Sequence, residues 1–187
     1  MSTLPAVYRL TYADWRRLPE DGTRYELIAG ELLMSPAPSV RHQRISMALA
    51  IALNVHLQAT GEGIVLAAPT GVYLSDEDVV EPDLLVVLTE HADRLGEQVV
   101  EGAPDLVVEI LSPGTARRDL VAKRELYARA GIPEYWIVDS EGGSVEVLAL
   151  QAGAYVRAGL YARADTLRSP LLAALEIPLQ EVFPARA

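Results

Sequence analysis

One carboxylate interrupts an otherwise apolar run, Leu106-Val107-Val108-Glu109-Ile110-Leu111. Without Glu109 the segment would read as a buried strand. Burying a lone carboxylate costs several kcal/mol unless it is paired, hydrogen-bonded or bound to a metal. Two readings follow. Either the strand has one wet face or Glu109 pairs with one of the arginines, or else Glu109 is a ligand for a hard cation such as Mg²⁺ or Mn²⁺, which prefers oxygen donors.

A metal site wants a second acid, and two Pro-Asp dipeptides offer one. Asp105 lies on the same strand face as Glu109 but about 13 Å away along the strand, too far to share one ion comfortably. Asp83 opens another apolar run, Leu84-Leu85-Val86-Val87, and stands beside Glu109 if the two strands are neighbours. Asp83 is therefore the better partner, and Asp105 reads as a cap on the turn before its own strand.

The 16 basic residues are 15 arginines and a single lysine, Lys123. Lysine acts as a compact point charge beside a phosphate, and unlike arginine it can lose its proton. Lys123 shares a helical stripe with Asp119 and Tyr127, so an ordinary Asp119–Lys123 surface pair is the plain alternative. Charge is also partitioned. Residues 76–109 hold eleven acids and one arginine, whereas residues 112–129 hold Arg117, Arg118, Lys123, Arg124 and Arg129 against two acids. An acidic strand pair feeding a basic helix resembles a cation site beside a phosphate-contacting rim, although mixed charge on a helix also serves as a solvated face.

Composition narrows the classes. At 187 residues the chain is one domain, 1–187, able to bury about two-thirds of its unfolded surface. A net charge of −10 excludes a generally basic nucleic-acid coat. The absence of cysteine removes disulfide scaffolds, thiolate zinc sites and thiol nucleophiles, and suits a reducing compartment. No apolar stretch is long enough for a membrane helix, and the N-terminal residues lack a secretory core, so the expectation is a soluble cytoplasmic protein. There is no glycine-rich lysine loop for ATP.

The pattern predicts an α/β fold on one mixed sheet. Tyr25-Glu26-Leu27-Ile28 and Glu31-Leu32-Leu33-Met34 flank Ala29-Gly30 as an N-terminal hairpin. Ser39 caps a helix over 40–57, with Ile45, Ala48, Leu49, Ala52, Leu53 and His56 on one face. Strands are predicted at 64–67, 71–74, 84–88, 106–111, 135–138, 145–150 and 155–161. A second helix runs over 116–130 and stops at Gly131 and Pro133, and a short helix is predicted near 171–175. Tyr135 and Trp136 are expected in the core.

Together these residues resemble the PD-(D/E)XK nuclease superfamily, and more closely the bacterial putative restriction endonuclease family, formerly a domain of unknown function. The resemblance is carried by Tyr25-Glu26-Leu27-Ile28 with Gly30-Glu31, by 36–42, by Pro82-Asp83, and by Val108-Glu109-Ile110-Leu111-Ser112-Pro113. Arg118-Asp119-Leu120 with Lys123, and Leu126-Tyr127-Ala128 through Gly131-Ile132-Pro133-Glu134-Tyr135-Trp136 to Asp139, continue it, so that it spans 12–183. It implies a restriction-endonuclease-like fold, a mixed central sheet with helices on both sides. It implies that Asp83 and Glu109, with the Ile110 backbone carbonyl, hold Mg²⁺ or Mn²⁺. The superfamily's lysine normally stands two residues after the acid, where this chain has Leu111. A lysine displaced onto the following helix, Lys123, would then orient and activate the attacking water. Glu31, His42 and Asp119 are secondary candidates, and Arg117, Arg118 and Arg124 would form the phosphate rim.

The implied chemistry is metal-dependent hydrolysis of DNA phosphodiesters. Two other classes remain open: a nuclease-fold protein that binds nucleic acid without cutting, and an assembly subunit. For the latter, residues 145–183, with Leu171-Leu172-Ala173-Ala174-Leu175, would present an apolar face for a homodimer or higher oligomer.

Overall fold

The computed structural model describes residues 9–19, 21–35, 37–111 and 116–183, with the backbone alone for 116–119. The chain opens with a short helix α1 (Tyr12–Trp15), the hairpin β1 (Arg24–Ile28) and β2 (Glu31–Ser35), and the long helix α2 (Val40–Thr60). Strands β3 (Gly63–Ala67), β4 (Gly71–Ser75), β5 (Asp78–Val80) and β6 (Leu84–Leu88) follow. A 3-10 helix (Thr89–Arg94), β7 (Val99–Glu101), β8 (Leu106–Leu111) and helix α3 (Ala116–Ala130) come next. The chain then runs through β9 (Glu134–Asp139), β10 (Ser144–Gln151), β11 (Ala154–Ala162), β12 (Thr166–Arg168), β13 (Glu176–Pro178) and α4 (Leu179–Val182).

The two apolar runs are neighbours. β6 and β8 pair antiparallel, with Leu84 opposite Val108 and Val86 opposite Leu106, in a six-stranded sheet ordered β11-β10-β9-β8-β6-β3. Only β8 and β9 run parallel there, and α3 connects them, as a parallel crossover requires. Strand period two sends alternate residues of β6 to opposite sides. Leu84 and Val86 pack with Ile45, Leu49, Leu53 and Leu57 of α2, whereas Leu85 and Val87 pack with Leu126 and Tyr127 of α3. Both faces of the strand are covered, which is why it carries no polar residue of its own. Tyr135 and Trp136 are fully buried in β9.

The sheet is not single. A second, five-stranded sheet has the order β2-β1-β5-β4-β7 and joins the hairpin to the body through the Leu27–Val79 pairing. The sequence reading missed it because β5 and β7 are three residues each, too short to show a period. A third, two-stranded sheet pairs β12 with β13.

α2 runs to Thr60 and ends on Gly61, whose φ of 71° supplies the left-handed cap. The helix predicted near 171–175 is instead a turn. Ser169 and Glu134 capture the amides of Leu171 and Leu172, and Ala174 sits at φ 62°, which no helix tolerates. The short helix lies later, in α4. Leu172 and Leu175 are buried against the α2 face, so this run fills the core rather than offering the expected dimer surface. Among the described residues no helix is long and apolar enough to cross a membrane.

Candidate active site

The site gathers where the β6–β8 pair meets the hairpin sheet and α3. Asp83 is the residue before β6, and the register places it beside Glu109 and Ile110 of β8. Its Oδ2 accepts the Ile110 amide at 2.7 Å and faces His42 Nε2 at 3.1 Å, and its Oδ1 accepts from Arg24 at 2.9 Å. Burial pushes the Asp83 carboxyl up, but the His42 hydrogen bond, the Arg24 charge and the Ile110 amide outweigh it and hold Asp83 below its ordinary range. An ionised carboxylate makes His42 Nε2 the donor, leaving buried Nδ1 without a partner among the described residues.

Glu109 is served from α3. Lys123 and Tyr127 are four residues apart, one helical turn, and both reach Glu109 Oε1, the ammonium at 2.9 Å and the hydroxyl at 2.6 Å. Lys123 also lies 2.8 Å from Glu26 Oε1, which in turn accepts the Glu81 amide at 2.8 Å. On β1, Glu26 and Arg24 are two apart and so share a face. Burial alone would depress Lys123, but the charges of Glu109 and Glu26 raise its pKa above the ordinary lysine value, so it stays an ammonium. Glu109 is pushed up to about 7, first by burial and then by Asp83 and Glu26, against the pull of Lys123. Glu81 is also raised to about 7, by burial and by Glu26. Burial and the Glu109 charge keep the Tyr127 phenol protonated, as a donor.

Asp83, Glu109, Lys123, Ile110 and His42 thus come together. Glu31 does not: it is exposed beside the hairpin turn, opposite Ile28. Asp105 lies at the other end of β8 and does not cap its own turn. Its oxygens accept the Leu88 amide and face His91 Nδ1 at 2.7 Å, tying the 3-10 helix to the sheet. Arg124 is exposed and donates to the Tyr155 carbonyl at 3.1 Å. The side chains of Arg117, Arg118 and Asp119, and with them the expected Asp119–Lys123 pair, lie outside the described residues; Lys123 is engaged by Glu26 and Glu109.

The sequence reading assigned no role to Arg24, Glu26, Glu81 or Tyr127. Glu26 had a usable signal, since it stands in an apolar strand run as Glu109 does. Arg24 had none, because its partner is brought to it only by tertiary folding.

Four carboxylates (Glu26, Glu81, Asp83, Glu109) face two fixed cations (Arg24, Lys123), leaving two negative charges in surplus. Burial first, and neighbouring acids second, hold two of these carboxyls, Glu81 and Glu109, near pH 7. A hard divalent cation matches the surplus in charge and in donor type. Among the described residues no three Asp, Glu or His side chains converge as a metal cage. Two carboxylates and a backbone carbonyl are the kind of sparse oxygen set that Mg²⁺ accepts while keeping waters.

A cavity of about 750 Å³ opens onto this cluster. Arg24, His42, Glu81 and Asp83 line it, while Glu109 and Lys123 stand behind them.

The fold is a mixed α/β one, with central sheets flanked by helices and Asp83, Glu109 and Lys123 gathered where the two sheets meet. The chain belongs to the Uma2 family, described as putative restriction endonucleases, whose profile matches residues 12–180. Among solved structures, the fold is similar to that of a putative nuclease belonging to DUF820 from Anabaena variabilis ATCC 29413. The two share 18% identity over 93% of this chain and 97% of that one, with a TM-score of 0.78. None of the curated proteins compared matches the chain.

Proposed function

We propose that this protein is a divalent-metal-dependent endonuclease that hydrolyses DNA phosphodiesters in the cytoplasm. The observation that carries the reading is Asp83 and Glu109 on adjoining strands with Lys123 bonded to Glu109, in a chain of this family. Asp83, Glu109 and the Ile110 carbonyl would hold Mg²⁺ or Mn²⁺, which when bound neutralises phosphate oxygens and lowers the pKa of the attacking water.

The chain's own residues do the rest. Arg24, His42 and the Ile110 amide fix Asp83 ionised and oriented. Lys123, held protonated by two acids, serves as a fixed positive charge and not as a base. Glu109 Oε1 is occupied by Lys123 and Tyr127, so Oε2 is the oxygen left to face a metal ion.

The test is nicking of supercoiled plasmid in Mg²⁺ or Mn²⁺ by wild type, Glu109→Ala and Lys123→Ala, with circular dichroism confirming folding. Metal-dependent nicking should fall by about 100-fold or more in both variants. Nicking that survives Glu109→Ala would sink the site assignment. A second reading, DNA binding without cleavage, is favoured by the full engagement of both Asp83 oxygens by protein donors. Salt-dependent DNA binding with no nicking in either metal would select it.

A further inference from the structure

The cavity that ends on Asp83 has, among the described residues, the wrong charge for a groove that only tracks a phosphate backbone. Its volume, about 750 Å³, falls in the range of small-ligand pockets, roughly 300–1,000 Å³. Among the described residues its charged walls are Arg16 and Arg24 against Glu81 and Asp83, with no surplus of positive charge. The chain as a whole stands at −10. Affinity from counterion release needs several cationic phosphate contacts, and these walls do not provide them.

What the walls provide is flat surface and neutral hydrogen-bonding groups. Trp15, stacked on Tyr12, and the Pro38 and Pro69 rings supply the first. Gln43, Ser46 and Gln98 supply the second, and among the described residues their side chains have no hydrogen-bond partner in the chain. Aromatic surface stacks on any base, and glutamine amides pair with base edges.

We infer that this cavity holds an unpaired nucleobase of the substrate strand, so that the protein acts on single-stranded or locally unpaired DNA. The inference rests on the nuclease reading for the identity of the ligand, but base binding needs no hydrolysis. A base in an intact duplex reaches such a cavity only after unstacking, which costs a few kcal/mol, whereas a single strand escapes that cost. The cavity leads to Asp83, so a seated base brings its neighbouring phosphate to the acid cluster.

The experiment is fluorescence anisotropy with the Glu109→Gln variant in Mg²⁺. The probes are a short mixed-sequence single strand, its blunt duplex, and an abasic deoxyribose-phosphate chain of equal length. The single strand should bind about tenfold or more tighter than either of the others. A Gln43→Ala/Gln98→Ala double change, at two exposed positions, should erase most of that margin. Duplex or abasic chain bound as tightly as the single strand, no binding of any probe, or a margin untouched by the double change would each overturn the inference. A retained base preference with no plasmid nicking by wild type would overturn the nuclease reading and leave this one standing.

Discussion

Lys123 Nζ lies 2.8 Å from Glu26 Oε1, and this contact fastens α3, the helix between the two parallel strands of the main sheet, to the hairpin of the second sheet. Both side chains are almost fully buried, and each has a further partner, Glu109 for Lys123 and the Glu81 amide for Glu26. The acid cluster and the seam between the sheets are therefore one structure.

Removing the cation should therefore be costly. Lys123→Met leaves Glu26 and Glu109 facing each other in a low-dielectric interior, and breaking a buried pair in this way costs about 3–5 kcal/mol. Urea unfolding would show it as a lower midpoint. A Glu26→Gln/Lys123→Met double change should cost less than the sum of the two single changes, because the stranded charge is gone. An unchanged midpoint in Lys123→Met would show that the contact holds nothing together.

Stability should also depend on pH through Glu81. Its folded pKa is about 7 against an ordinary 4.5, so between those values the native state binds more protons than the unfolded chain. Stability then falls as pH rises through that window, and the favourable contribution is complete only below it. Glu109 acts in the same direction. Glu81→Gln has no side-chain hydrogen bond to lose among the described residues and should flatten the slope in part. Urea midpoints in EDTA at the two ends of the window would measure this. An equally steep slope in the variant would contradict the burial of Glu81 beside Glu26.

The strand holding Glu109 and the helix bearing Lys123 were legible because each depends on local pattern: an acid out of place in an apolar run, and a helical run stopped by Gly131 and Pro133. What stayed hidden depends on distance. β5 and β7 are too short to carry a period, so the second sheet could not be read, and with it went the positions of Arg24 and Glu26. The 171–175 run looked helical by composition, but Glu134 and Ser169, brought in from elsewhere, captured its amides. Hydrophobic spacing cannot show a competitor for a backbone hydrogen bond.

Asp105 offers a control for the site. It is as buried as Asp83 and follows a proline as Asp83 does, yet its partners are the Leu88 amide and His91. Asp105→Ala should destabilise the protein by about 1–3 kcal/mol through the orphaned amide. Nicking per folded molecule, measured below the unfolding transition, should be unchanged. A loss of nicking in the still-folded variant would mean that the far end of β8 also takes part.

The charge surplus makes a prediction that needs no substrate. A divalent cation that binds the folded cluster and not the unfolded chain raises stability by mass action, by about 2.7 kcal/mol at a hundredfold excess over its dissociation constant. Mn²⁺ should therefore raise the melting temperature of wild type. The rise should be larger near pH 7 than near pH 4.5, because Glu81 and Glu109 are ionised only toward the upper end. Asp83→Asn removes a donor and half of the surplus. Its baseline stability will differ, since Arg24 and His42 lose their carboxylate, so the informative quantity is the difference with and without Mn²⁺. That difference should vanish in Asp83→Asn and persist in Asp105→Ala. If wild type shows no rise at either pH, Asp83 and Glu109 are not a metal pair, and Arg24 and Lys123 are the only cations the cluster uses.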